Sequence, residues 1–464
     1  MIESEKKEKI FATVYPSKLN SGEIHISGYK HASNLIIAAA ILLPEITITL
    51  NNLPDVKDTK ILLEILASLG ANISYLDNTC RINTANLSNQ QISVELTQQV
   101  HGTIYLIPAL LCRFGEVELG KCGGCPIGET DLHGNSRPIT HIIKILEQFG
   151  ASFTLENDYI KGKLKKMVFP SILDIQDFSD DAAELTGQYV SGATKTAILA
   201  ALAMSNEEIE IKNPYIKADV RELLNFLVNV GIQVDQTDDC LKIKNAHKNK
   251  NVDFFIMSDI NEVFTYITFS IFNNLDLKLC NVTVTQVRQA FLQEEIVLKE
   301  MGIILNWGTN YITLQQIKTI NSMDIDIGQA EKYSVYADHQ PFFALLLTMG
   351  NKTAVIRDRV WKRRFQYVPE LLKLGYLMTE KNGELYISPG KKPNINQIDY
   401  LIGHDVRAAA VVLMAAIQSN SEIKITGLEH LNRGYVDFIG KLKSLGVNLL
   451  VEKIEPIITQ YEYS

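Results

Sequence analysis

No apolar run in this chain approaches a membrane span. The longest is about a dozen residues around Leu35–Leu43, against the roughly 20 that a bilayer-crossing helix needs. No membrane association is therefore expected. Cysteine is also scarce: six in 464 residues, at no framework spacing, argue for reduced thiols in a cytoplasmic protein rather than a disulfide scaffold. Cys122 and Cys125 form a lone Cys-x-x-Cys with no second pair, a weak zinc signal, so no metal and no cofactor are expected. An excess of positive charge is missing too. The net charge is −8 and the pI about 5.7, which argues against general nucleic-acid binding. Any anionic ligand must be held by a local basic cluster. The opening Met-Ile-Glu-Ser-Glu-Lys-Lys-Glu-Lys is mixed in sign and reads as no signal peptide.

What is present is repetition. A helix-like unit with apolar residues at three-and-four spacing ends on an apolar residue plus glycine, and it occurs six times. The copies close at Gly70, Gly150, Gly231, Gly302, Gly375 and Gly446, each placed as a left-handed cap that stops a helix. Before each comes a second helix, apolar all round: residues 32–43, 102–111, 191–203, 263–272, 341–347 and 406–416. Helices of that kind must be buried. Six α/β units follow from this pattern. An open solenoid is one way to stack them; against it, the terminal copies are not polar caps. Three units closing around shared interior helices bury them better, giving two domains of three units each. The charged stretch Lys242–Asn251 is the expected exposed crossing between domains.

One long loop interrupts this order. Residues 119–138 hold five glycines and two prolines together with Cys122, Cys125, Glu129, Asp131, His133 and Arg137. Long loops in compact chains are usually functional or disordered. On composition alone the two readings weigh equally, and the thiols, carboxylates and Arg137 favour a lid. Charged residues also stand where repeats feed their buried helices: Lys30, Asp338, Arg364, Asp405, Arg407 and Arg433. Singly each reads as a structural ion pair, Asp405 with Arg407 as a surface couple. Together, in an acidic protein, they point to a polyanionic small ligand gathered between domains.

These residues resemble the enolpyruvyl transferases, and the resemblance covers nearly the whole chain beyond the first twenty or so residues. It is carried by Gly123-Gly-Cys-Pro-Ile-Gly128, Arg137-Pro138, Asn225-Phe-Leu227, Arg364-Phe365, Val368-Pro-Glu-Leu371, Asp405-Val-Arg407 and Asn432-Arg-Gly-Tyr435. The closer branch acts on UDP-N-acetylglucosamine in peptidoglycan synthesis; 3-phosphoshikimate is the acceptor of the other. The resemblance implies a two-domain inside-out α/β barrel of six βαβαββ-type units, three per domain, with residues 30–255 as the lid-bearing domain and 1–29 plus 256–464 as the second. It implies transfer of the carboxyvinyl group of phosphoenolpyruvate to an acceptor hydroxyl, with release of phosphate. Lys30, Arg137, Arg364, Arg407 and Arg433 would converge on phosphoenolpyruvate. Asp338 would take the hydroxyl proton, Cys125 would protonate the vinyl carbon, and Asp405 would steady the cluster. Acceptor binding is carried over to His31, His101, Pro138, Thr140, Ser191 and Gly192.

Departures from the family pattern concern the acceptor. His31 stands where the peptidoglycan enzymes carry Asn, His101 replaces an arginine, and Thr140 replaces an acidic residue after Arg137-Pro138. Residues Glu129–Ser136 lengthen the lid. The resemblance gives UDP-N-acetylglucosamine as the first acceptor, whereas this set of departures points away from it, to another nucleotide (such as UMP in nucleoside antibiotic synthesis) or 3-phosphoshikimate as the alternative. A silent binding module of the same fold is the reading outside enzymology; the joint presence of Lys30, Cys125, Asp338 and Arg433 speaks against it.

Overall fold

The computed structural model describes residues 9–124, 127, 139–178, 191–203, 207–245, 249–315, 319–328, 335–361, 364–392 and 398–454. It is a mixed α/β fold. Its strands form six separate sheets, five of four strands and one of three, and none closes on itself among the described residues. The apolar helices lie inside: every residue of Ile260–Phe272, and all but the first of Val406–Ile417, is buried. Gln340–Leu347 packs between these two. Lys30–Ala40 packs against the amphipathic helix Ala218–Val230. No described helix is long and apolar enough to cross a membrane.

Local chemistry accounts for most boundaries. All six repeat-closing glycines have positive φ, between 86° and 105°, which an L side chain adopts only with strain. The strand after an amphipathic helix then turns back on itself. Asp77-Asn78, Asn157-Asp158 and Asn382-Gly383 all have positive φ, and each links antiparallel strands as a two-residue hairpin of this kind requires. The second apolar helix begins later than its sequence run. His101–Tyr105 is 3₁₀ and the α-helix is Leu106–Phe114, because Pro108 lacks the N–H of an interior position and is tolerated in a first turn.

The sheets share no strand between two sets. Three use strands within residues 47–255, and three use strands within 9–25 and 277–454. The N-terminal strand Lys9–Val14 pairs antiparallel with both Ile423–Thr426 and Leu449–Ile454, so the sixth sheet is completed by the chain's own beginning. Lys242 and Lys244, in the stretch expected as an exposed crossing, instead sit in the sheet strand Cys240–Lys244. The chain runs from one set to the other at Ser27–Tyr29 and returns at Met257–Asp259. There Tyr29 N–H donates to the Met257 carbonyl (2.8 Å) and Asp259 N–H to that of Ser27 (2.8 Å). Gly28 is needed at this crossing: a Cβ on it would lie 1.7 Å from the Asn52 carbonyl oxygen.

Asp259 does the positioning that follows. One carboxylate oxygen caps Ile260–Phe272 through Asn261 N (2.8 Å) and Glu262 N (3.1 Å). The other accepts from Lys30 N at 3.3 Å. A side-chain cap is worth about 0.5–2 kcal/mol; here a single residue ties two helix amino ends together and places Lys30 at their junction.

Candidate active site

A cavity of about 200 Å3 lies where these helices begin. Its wall includes Lys30, His31, His101, Ser191, Asp338, Arg364, Asp405, Arg407 and Arg433, residues far apart in sequence that the fold brings together. Gly192 and Thr140 are not on that wall; Thr140 is exposed. Cys125, Arg137 and Pro138 lie outside the described residues.

The charges are organised in groups. Asp58 accepts from Lys30 Nζ at 3.1 Å and from Arg433 Nε at 3.0 Å. Burial pushes its carboxyl up, but Lys30 and Arg433 outweigh that and hold it below the ordinary carboxylate value. Asp338 sits in the 3₁₀ turn Ala337–His339 and receives Arg364 Nη1 at 3.0 Å and Arg407 Nη2 at 3.3 Å. His31 Nε2 stands 3.6 Å from it. Burial again works against the charge, yet Arg407, Arg364 and His31 hold Asp338 well below the carboxylate range. His31 is held below its own usual value by burial and then by Lys30, against the pull of Asp338. Arg364 Nε, buried, has no hydrogen-bond acceptor among the described residues, a cost that a bound anion removes.

Asp405 and Arg407 are not a surface couple. Both are 3% exposed, and Asp405 Oδ1 caps the helix Val406–Ile417 through Arg407 N (2.7 Å) and Ala408 N (3.1 Å). Asp405 therefore fixes the backbone that carries Arg407, whose guanidinium lies 5.0 Å from the Tyr435 ring. The Asp338 turn has its own brace. Glu294 Oε1 accepts from Tyr336 N at 2.8 Å and meets His339 Nδ1 at 3.0 Å, and the His339 ring stacks on Phe264 at 4.4 Å.

Four charged residues of the wall had escaped sequence reasoning: Asp58, Lys195, Lys217 and Asp219. Lys195 is ion-paired to Asp219 and donates to the Tyr105 hydroxyl at 3.0 Å. The signal was in the repeat. Pro54-Asp-Val-Lys-Asp58 and Pro214-Tyr-Ile-Lys-Ala-Asp219 are alike but for one extra residue between Lys and Asp in the second, and each Asp stands twelve residues ahead of its closing glycine. Both answer a lysine from an interior helix.

The chemistry available is the gathering of a small polyanion: six lysines and arginines on one wall, four of them held by Asp58 and Asp338, with helix amino ends at the same cavity. Among the described residues no group of His, Cys, Asp and Glu is arranged to hold a metal ion.

Comparison with known proteins agrees with this chemistry. The model of one family, EPSP synthase (3-phosphoshikimate 1-carboxyvinyltransferase), matches residues 14–442. A UDP-N-acetylglucosamine 1-carboxyvinyltransferase of Aliarcobacter butzleri is 28% identical over 438 residues, covering 92% of this chain and 96% of its own. One from a Psychrobacter species is 29% identical, covering 94% and 95%. Among solved structures, the enolpyruvyl transferase NikO from Streptomyces tendae superposes with a TM-score of 0.85 at 25% identity, over 97% of this chain and all of that one. An EPSP synthase from Acinetobacter baumannii reaches 0.68 at 16% identity over 96% of this chain and all of its own, which speaks for the fold alone.

Proposed function

This chain belongs to the EPSP synthase family of enolpyruvyl transferases, and on that footing we propose that it moves the carboxyvinyl group of phosphoenolpyruvate onto a hydroxyl of a nucleotide acceptor. UDP-N-acetylglucosamine is the acceptor of first choice, supported by the names of relatives that align over nearly their whole length. The observation that carries the reading is the convergence of Lys30, Arg364, Arg407 and Arg433 on one cavity. Phosphoenolpyruvate carries a phosphate and a carboxylate on a frame of three carbons, and such a set matches both. The two sets of sheets are read as two domains, residues 30–255 and 1–29 plus 256–464, each an inside-out barrel of three units with the ligands between them.

In the reaction the acceptor oxygen bonds to C2 of phosphoenolpyruvate, its proton passes to a base, and the methylene carbon takes a proton. Loss of a methyl proton and of phosphate then restores the vinyl group. Asp338 is the base in this reading. With Arg364 and Arg407 upon it, its carboxylate is a weak one; an anion that draws those guanidiniums away raises its basicity. Substrate binding thus readies the base. Cys125, by its place in the motif Gly123-Gly-Cys-Pro-Ile-Gly128, is assigned the proton donated to the methylene carbon, and Arg137 closes over the site with it.

A second acceptor, another nucleotide such as UMP, is favoured by one observation: His31 and His101, both departures from the peptidoglycan pattern, face the cavity. Phosphate release measured with phosphoenolpyruvate and, in turn, UDP-N-acetylglucosamine, UMP and 3-phosphoshikimate separates the readings. Release is expected only with both substrates present. No turnover with UDP-N-acetylglucosamine sinks the peptidoglycan assignment, and calorimetry showing no phosphoenolpyruvate binding, with or without nucleotide, leaves only a silent module.

A further inference from the structure

Two lysines on the cavity wall stand apart from the four-cation cluster. Lys195, 4% exposed, is answered by Asp219 and the Tyr105 hydroxyl. Lys217 precedes the helix Ala218–Val230 and is half-buried. Its ammonium lies 5.1 Å from the Tyr215 ring and 5.9 Å from the Tyr336 ring. Among the described residues no carboxylate or hydrogen-bond acceptor is bonded to it. A charge partly withdrawn from water, touching only aromatic rings, is costly unless something occupies its free side.

The repeat shows why this ammonium is surplus. Asp58 and Asp219 are equivalent in their units, and each neutralises a lysine of an interior helix, Lys30 and Lys195. Asp219 is ion-paired to Lys195, and among the described residues no carboxylate is paired to Lys217, which Asp219 and Asp338 reach only through space. Burial, with Lys195 beside it, outweighs the pull of Asp219 and Asp338 and holds the Lys217 ammonium below its ordinary value, so its charge is only partly answered. It belongs to a different unit from Lys30, Arg364, Arg407 and Arg433. Ser191, in the interior helix Ser191–Leu202, lines the same cavity.

We propose that Lys217, backed by Lys195, forms a second anion subsite that takes a phosphate of the acceptor and not phosphoenolpyruvate. This rests on the transferase reading above and deepens it: the acceptor must be phosphorylated, and Lys217 senses that group. An ammonium suits it as a compact point charge for a phosphate oxygen.

Calorimetry with UMP, UDP-N-acetylglucosamine and uridine tests the subsite without any turnover. Wild-type protein is expected to hold at least one phosphorylated probe more tightly than uridine. Lys217→Met should weaken that probe roughly 10- to 100-fold, the value of one charge-assisted hydrogen bond, with affinity for uridine and phosphoenolpyruvate unchanged. Lys217→Arg should keep most of the affinity, which separates loss of charge from loss of fold. Phosphorylated probes no tighter than uridine in the wild type overturn the proposal, as does a Lys217→Met variant that loses phosphoenolpyruvate instead. Phosphate release is measured separately: its absence with every acceptor sinks the transferase reading, while the binding data alone judge the subsite.

Discussion

Asp58→Asn is the sharpest probe of how the cation cluster is held. The substitution keeps size and shape and removes one charge from a side chain that is 4% exposed and shared by Lys30, 9% exposed, and Arg433, 13% exposed. Removing one partner of a buried pair costs about 3–5 kcal/mol, because the remaining charge is left uncompensated. Here two cations are stranded, but both keep some contact with water, so a loss of about 2–4 kcal/mol is expected at neutral pH. The pH dependence has a definite sign. The Asp58 carboxyl is held below its ordinary value by Lys30 and Arg433 despite burial. Its stabilisation is therefore fully present above the unfolded carboxylate value, roughly 4, and is lost as pH falls through the lower folded value. Urea unfolding of wild type and variant at pH 7 and at about pH 3.5 reads this difference directly. Asp55→Asn is the control, since its pair with Lys60 is half-exposed and should be worth less than about 1 kcal/mol. Added inorganic phosphate should recover part of the Asp58→Asn loss by supplying the missing negative charge. An Asp58→Asn variant within about 1 kcal/mol of its control, or a gap that fails to narrow on acidification, would show that Asp58 does not neutralise the cluster.

Three further outcomes follow from the same structure. Cys125→Ser is expected to lose turnover while Cys122→Ser keeps most of it, since burial pushes the Cys122 thiol up to about 12 and keeps it protonated; equal losses would mean the proton donor is misassigned. The His31 imidazole should titrate below the usual histidine value in an NMR experiment, and lower still in Asp338→Asn, because Asp338 favours its charged form; an upward move in that variant contradicts the pairing. Glu294→Ala should cost about 1–3 kcal/mol by leaving the part-buried Tyr336 N–H without its acceptor, and should lower kcat by loosening the turn that presents Asp338. Glu294→Gln, which retains a carbonyl oxygen, should recover most of both, and no difference between the two variants would remove Glu294 from the positioning of that turn.

What could be read from the chain alone is what depends on near neighbours. The six closing glycines, the apolar interior helices and the strands after each amphipathic helix are set by periodicity and by backbone conformations that only certain residues adopt. The residues quoted for the family resemblance are equally legible, because a motif is itself a local pattern. Pairing across the fold is another matter. Asp405 and Arg407 look like a surface couple two residues apart, and burial makes one a helix cap and the other a guanidinium on Asp338. Asp58 joins Lys30 to Arg433, a residue 375 positions away, and no spacing rule reaches that distance. Only the tertiary structure decided which cations are answered from within, because the cost of burying a charge depends on what packs around it. The same structure left Lys217 without a bonded acceptor among the described residues.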